Sequence, residues 1–195
     1  MSISLDGFVA GPNDGPGQEL GEGGMQLHEW VFNQASWRAR HGLEGGETGP
    51  GSEIAEESFR TVGAVVMGRR MFDLGEEPWG DEPPFDVPVF VVTHRPRKPV
   101  TRTATTFTFV TEGIDRALEQ AAAAAGEKDI SLAGGAILVQ QCLRAGLIDE
   151  IQLHVAPVLL GGGKRLFDDL ERPAALELVR VADSPGMTHL KYRFK

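Results

Sequence analysis

The chain has 195 residues, 41% hydrophobic and 24% charged, with a formal net charge of −9 and a single cysteine. That length suits one domain with a substantial core, and the negative charge excludes general nucleic-acid or anionic-membrane binding while leaving room for a local basic patch. Cys142 has no disulfide partner and no cysteine cluster to form a metal site with.

In chain order, Ile3, Leu5 and Val9 predict a first strand that starts abruptly at Met1, which leaves open whether residues precede it. No apolar run reaches membrane-spanning length and the N-terminus lacks a basic-then-apolar leader pattern, so the expectation is a cytoplasmic, soluble chain. The Gly-, Pro- and Asp-rich stretch from Gly11 to Gly24 predicts a mobile loop. Met25–Phe32 predicts a short helix, and His41–Ser52, with five glycines, a surface insertion or lid. Ser52 is placed to cap a helix running to about Thr61.

Ala64–Met67, Val89–Val92 and Ile130–Ala133 are short apolar runs without alternation, as in strands buried on both faces of a parallel sheet. Between the last two, Ile114, Leu118, Ala121, Ala122 and Ala125 share a helical face that Gly126 can end. Leu138, Cys142 and Ala145 do the same before Gly146. Ile151, Leu153 and Val155 then alternate with Gln152 and His154, and Leu190, Tyr192 and Phe194 with Lys191 and Arg193. Leu176–Ala182 and the turn Asp183-Ser184-Pro185-Gly186 complete an antiparallel hairpin. The predicted class is therefore α/β, a three-layer fold whose mixed, mainly parallel sheet ends in a C-terminal hairpin, with no internal repeat or evident domain boundary.

Three predicted strand ends carry groups suited to an anion. Gly68-Arg69-Arg70 follows the first buried run, and Thr93-His94-Arg95 follows the second. Arginine forks match phosphate oxygens, and a helix start favours negative charge. Gly134-Gly135 follows the third run, where the pair is either a phosphate cradle or a tight turn; it is not a G-x-G-x-x-G fingerprint. In a parallel sheet these ends gather at one edge, where α/β proteins bind ligands. Gly161-Gly162-Gly163-Lys164 is not a P-loop, because Val158 and Arg165 stand where glycine and a hydroxyl residue are required. His28-Glu29 is not a zinc motif, because Phe32 replaces the second histidine. No nucleophile elbow and no paired carboxylates stand out, so the catalytic group remains unassigned.

Met67-Gly68-Arg69-Arg70-Met71-Phe72, Ala133-Gly134-Gly135, Pro157-Val158-Leu159-Leu160-Gly161-Gly162-Gly163 and the opening Ser4-Leu5-Asp6-Gly7 together resemble motifs of the dihydrofolate reductase-like superfamily. The order is most similar to the C-terminal reductase domain of the riboflavin-biosynthesis deaminase–reductase and its stand-alone bacterial relatives. The resemblance runs over nearly the whole chain as a single domain, residues 1–195. It implies NADPH binding and hydride transfer to a small heterocyclic or carbonyl substrate. It places Gly68, Arg69 and Arg70 at cofactor phosphates, and Thr93, His94 and Arg95 around the adenosine ribose and its 2′-phosphate. Gly134, Gly135, Ala136 and Ile137 line the pyrophosphate in the same scheme, Ser2, Val9 and Ala10 approach the nicotinamide, and Leu160 and Gly161 close the pocket. Asp6, Met25, Leu27, Trp30 and Phe32, with Trp79 from the Glu76–Asp81 loop, are the expected substrate side, and relatives of this kind imply a homodimer. Dihydrofolate reductases carry an acidic residue on the first helix, and only Glu29 lies in that region here. The readings left open are a riboflavin-pathway reductase, a dihydrofolate reductase-like enzyme with relaxed specificity, and a nucleotide-binding module without turnover.

Overall fold

The computed structural model describes residues 1–168 and 170–195. The chain forms two compact units, Met1–Arg60 with Gln140–Lys195, and Thr61–Val139. The first unit begins with β1 (Ser2–Ser4) and β2 (Phe8–Ala10). The single strand expected through Ile3, Leu5 and Val9 is thus corrected to two. Leu5 is 67% exposed, and Gly7 has φ +92, so the chain turns between the strands instead of alternating through them. Residues 11–24 form a loop tied by its own backbone, with Gly11 N donating to Leu20 O and Glu22 N to Pro12 O. The expected helix over Met25–Phe32 is broken into a 3-10 turn, Gly24–Leu27, and the single turn α1 (Glu29–Phe32). After α2 (Ala35–Arg40) comes α3 (Pro50–Thr61). Helix α3 starts two residues before the expected cap, because Pro50 suits a first helical position. Ser52 Oγ instead accepts from Ser36 N at 3.0 Å.

The second unit holds β3 (Val62–Gly68), α4 (Arg69–Trp79), β4 (Val89–Val92), β5 (Val100–Thr101), β6 (Thr106–Val110), α5 (Ile114–Ala125) and β7 (Asp129–Gly134). These strands form a mixed, mainly parallel sheet in the order β5-β6-β4-β3-β7, with β5 antiparallel to β6. The three non-alternating runs are β3, β4 and β7, but the expectation of burial on both faces is corrected for β7: it is the edge strand, and Ile130 to Ala133 are only half-buried. Ala64, Val65, Val66 and Met67 are each at most 4% exposed, which explains why β3 reads as continuous apolar sequence. Its core joins Val65, Met67, Val89 and Val91 to Phe72 and Phe107, whose rings meet edge-on at 5.1 Å. Strand β6 was not among the predicted runs, although Thr106, Phe107, Thr108 and Phe109 alternate as in a half-buried strand. Helix α5 buries Ala117, Ala121 and Ala125, whereas Ala122 is exposed and Ile114 and Leu118 are half-buried. The expected face is corrected by a fraction of a turn, since the small i, i+4, i+8 alanines let the helix lie close on β3 and β4.

Helix α6 (Ala136–Arg144) leads back into the first unit, followed by β8 (Glu150–Ala156), the two-residue β9 (Lys164–Arg165), β10 (Leu176–Ser184) and β11 (Met187–Phe194). Leu138 and Cys142 are buried as expected for α6, but Ala145 lies beyond the helix and is exposed. The C-terminal hairpin is present, closed by Pro185-Gly186 between the paired Ser184 and Met187. It belongs to a four-stranded sheet in the order β1-β8-β11-β10, in which β1 runs parallel to β8.

Candidate functional site

In the second unit, the pairing register decides where the strand ends lie. Gly68 stands opposite Val92, and Met67 opposite Gly134, so β3, β4 and β7 all finish at the same sheet edge. Helices α4 and α6 start there, and the first N–H groups of a helix have no intrahelical acceptor. Gly134 has φ +129, which a side chain would strain, and its bond to Gly135 is cis. A Cβ built on Gly135 would meet nothing within 4 Å, so that backbone is open to an approaching group. Ile137, one residue into α6, is 66% exposed.

The arginines at this edge are already organised. Arg69 Nε pairs with Asp73 Oδ1 at 2.6 Å, one helical turn on, and its Nη1 donates to Arg95 O at 3.1 Å. Arg95 extends its own guanidinium to Asp73 Oδ2 at 2.8 Å. Thr93 is buried, and its Oγ1 accepts from Arg95 N at 3.0 Å, which fixes the turn that presents exposed His94 and Arg95. Arg70 is exposed at the start of α4. Behind this edge Arg97 grips Glu76 with both nitrogens of its fork, and its hydrogen bond holds the Glu76 carboxyl below the usual carboxylate range. Asp73 was not foreseen from the sequence; its spacing of four from Arg69 on a helix was the available signal. Trp79 is corrected: it ends α4 rather than lying in a loop. Its ring packs against Phe85 and over Phe107 inside this unit's core, where Gly75 leaves it room.

In the first unit, Asp6 anchors the glycine-rich turn. Its carboxylate accepts from Ser4 Oγ at 2.6 Å, Leu160 N at 3.1 Å and Gly161 N at 2.7 Å. The Ser4 hydroxyl bond and then these backbone donors hold its pKa down to about 2, so the side chain is a fixed acceptor, not a source of protons. Gly163, at φ +119, lies so close to Ala10 that a Cβ there would clash with its carbonyl oxygen. Val9, Ala10, Leu160 and Gly161 are therefore drawn together by Asp6 on one side and Gly163 on the other. Gly161 and Gly162 have open space where a side chain would project.

The expected substrate residues of this unit divide. Leu27 is fully buried with Ala156 and Met187, so it is core. Met25 is exposed, and Phe32 turns its edge toward Trp37 at the surface. Glu29 is also exposed, at the start of α1. Trp30 alone faces polar groups: its Nε1 donates to Ser2 Oγ at 3.0 Å, and its ring lies 4.5 Å from that of His154 and 4.9 Å from that of His189. His154 and His189 were missed because alternation made them polar-face residues, and only the β8–β11 pairing shows that this face is covered there. No group of three His, Cys, Asp or Glu residues among the described residues has an arrangement that could hold a metal. No helix among them is long and apolar enough to cross a membrane.

The family model for the RibD C-terminal domain matches residues 1–190. The uncharacterized protein YyaP of Bacillus subtilis (strain 168) is 30% identical over 141 residues, covering 68% of this chain and 74% of that protein. Among solved structures, a putative riboflavin biosynthesis protein from Shewanella sp. PV-4 is 22% identical with a TM-score of 0.68, covering 99% of this chain and 95% of that one. Acinetobacter baumannii RibD is 17% identical with a TM-score of 0.61; the match covers 100% of this chain and 56% of that longer one. Over nearly all of its length, with the α/β fold of these reductase-like proteins, the chain belongs to the RibD C-terminal domain family.

Proposed function

We propose that this protein is an NADPH-dependent reductase of a small heterocyclic or carbonyl compound, of the riboflavin-pathway type. The observation that carries the reading is the shared edge of β3, β4 and β7, where Gly68, Thr93 and Gly134-Gly135 lie beside Arg69 and Arg95. The open backbone at Gly135 and the start of α6 fit a pyrophosphate, and the Thr93–Arg95 turn fits the ribose and its 2′-phosphate. Gly68, Arg69, Arg70, His94, Ala136 and Ile137 complete that half. Ser2, Val9, Ala10, Leu160 and Gly161 are assigned to the nicotinamide end. A bound nicotinamide supplies the hydride; the chain's own part is to orient it and exclude competing reactions.

Cytoplasmic operation belongs to the same reading, since the chain's one cysteine, Cys142, is buried and the sequence holds no second cysteine for an internal disulfide. So does a homodimer. Strand β10 is the edge of its sheet, and Leu178, Val179 and Val181 on it are each more than 40% exposed, a surface suited to a second copy.

The test is fluorescence titration with NADPH and NADH, followed by cofactor oxidation against a panel of phosphoribosylaminouracil, dihydrofolate, quinones and aldehydes. Saturable NADPH binding with oxidation by one acceptor class supports the reading. Absence of saturable binding refutes it, and binding without oxidation by any acceptor favours a nucleotide-binding module.

A further inference from the structure

One carboxylate in the second unit is held by two arginines from different elements. Asp73 belongs to α4; its Oδ1 accepts from Arg69 Nε at 2.6 Å, and its Oδ2 from Arg95 Nη2 at 2.8 Å. The two grips are unequal. Arg69 is pinned: its side chain is 18% exposed, its Nη1 donates to Arg95 O, and its guanidinium lies over the Phe109 ring at 5.4 Å. Arg95 is loose: its side chain is 68% exposed and it holds the carboxylate through one nitrogen. Arg97 shows the contrast, since both nitrogens of its fork bond Glu76 and its guanidinium stacks on Phe72 and Phe109. The Arg95 backbone does not depend on Asp73, because Arg95 N donates to the buried Thr93 Oγ1 at 3.0 Å. Its guanidinium therefore has a fixed base from which to change partners. Two guanidiniums converging on two oxygens is the way a phosphate is held, and here a protein group stands in the anion's place.

We propose that Asp73 is a built-in competitor for an incoming phosphate: it fills the anion position between Arg69 and Arg95 while the edge is empty, and a phosphate monoester takes Arg95 from it on binding. This rests on the reading of the edge as an NADPH site, with the 2′-phosphate at the Thr93–Arg95 turn. The exchange has a direction because the rivals differ in charge. A phosphate monoester carries about −1.5 to −2 at pH 7 and three acceptor oxygens, against a single charge and two oxygens on Asp73. A neutral ribose hydroxyl has no such advantage and leaves the Asp73–Arg95 pair closed. Displacement does not orphan the carboxylate, since Oδ1 keeps Arg69, one helical turn away. The exchange therefore gives up one solvent-exposed ion pair, which contributes little. Asp73 thus lowers the affinity for a phosphate monoester only modestly, holds Arg95 at the edge in the ligand-free protein, and shuts out monoanions too weak to displace it. When the phosphate leaves, the carboxylate retakes Arg95, which favours cofactor exchange.

The competitor is tested by isothermal titration of adenosine 2′-monophosphate, NADPH and NADH into the full chain. Asp73→Asn, which keeps the side chain's shape, should tighten the first two by about 2- to 5-fold and leave NADH unchanged. The tightening should vanish in an Arg95→Ala background, the double-mutant signature of two groups contending for one partner. Glu77→Gln removes the same charge from an exposed position of α4 and should leave every affinity at its wild-type value. An Asp73→Asn affinity for the phosphorylated ligands at or below wild type would overturn the proposal with the NADPH reading intact, because Asp73 would then be positioning the arginines. A gain that persists without Arg95, or that Glu77→Gln reproduces, would overturn it too, as a long-range charge effect. Absence of saturable NADPH binding in wild type and Asp73→Asn alike would instead remove the NADPH reading of the edge, and the competitor with it.

Discussion

Arg95 gives the sharpest test of cofactor choice. Its side chain is 68% exposed and its guanidinium leans on Asp73 Oδ2 at 2.8 Å, an ion pair open to solvent. A hydrogen bond to a charged group contributes about 1.5–3 kcal/mol, and releasing an exposed pair costs about 0–1 kcal/mol. The net gain from engaging a 2′-phosphate is then about 0.5–3 kcal/mol, or roughly 2- to 150-fold in Kd. Arg95→Ala should weaken NADPH by that factor and leave NADH nearly unchanged. Asp73→Asn should have the opposite sign for NADPH, a few-fold tightening, because the competing carboxylate is gone while the side chain keeps its shape. Fluorescence titration of both cofactors at about 0.01 M and 0.15 M salt, where the screening length falls from roughly 30 to 8 Å, should show the NADPH advantage shrinking with salt. Equal losses for NADPH and NADH in Arg95→Ala would refute a role in reading the 2′-phosphate.

Asp6→Asn should loosen the turn at Leu160 and Gly161, seen as faster amide exchange at those two residues. In the native protein the depressed pKa means this anchor is fully present above about 3.8 and is lost as pH falls toward about 2, so exchange there should rise only in that acid range. Burial lowers the pKa of His28 from 6.5 to about 4; its contribution is complete above 6.5 and lost as pH falls toward 4. The urea midpoint should decline across that window, and His28→Asn should flatten the decline. Phe72→Ala removes a fully buried ring from the second unit's core and should cost about 3–5 kcal/mol, measured as a lower thermal midpoint. Val181→Lys should shift the protein to monomer mass in light scattering at unchanged thermal midpoint; a wild-type protein that is already monomeric at micromolar concentration refutes the β10 interface.

Much of the fold was legible because one physical pattern served each element. Buried parallel strands need apolar residues on both faces, and β3 and β4 show that as unbroken runs, whereas β7 is a half-buried edge strand with Ser131 in its middle. The hairpin of β10 and β11 was equally plain from alternation and Pro185-Gly186. Where two patterns competed, the sequence misled. Leu5 continues an apolar alternation, yet Gly7 turns the chain; Trp79 resembles an exposed loop aromatic, yet it fills a core through the space Gly75 leaves.

The site divides along the same line. Glycines and arginines at strand ends are local signals, since backbone conformation and helix-start potential depend on neighbouring residues, so Gly68, Arg69, Arg95 and Gly134 were visible in one dimension. Asp6 was visible too, but its role as an anchored acceptor came only from the return of residues 160 and 161 to it, more than 150 positions later. The pairing of His154 with His189 was invisible: it depends on which strand lies beside which and in what register, and alternation specifies a face without saying what covers it. The sequence by itself determined the class of fold and the strand-end edge that carries the glycines and arginines, because those follow from local backbone chemistry and burial. Tertiary structure alone decided which polar side chains meet under Trp30, because that contact joins strands from opposite ends of the chain.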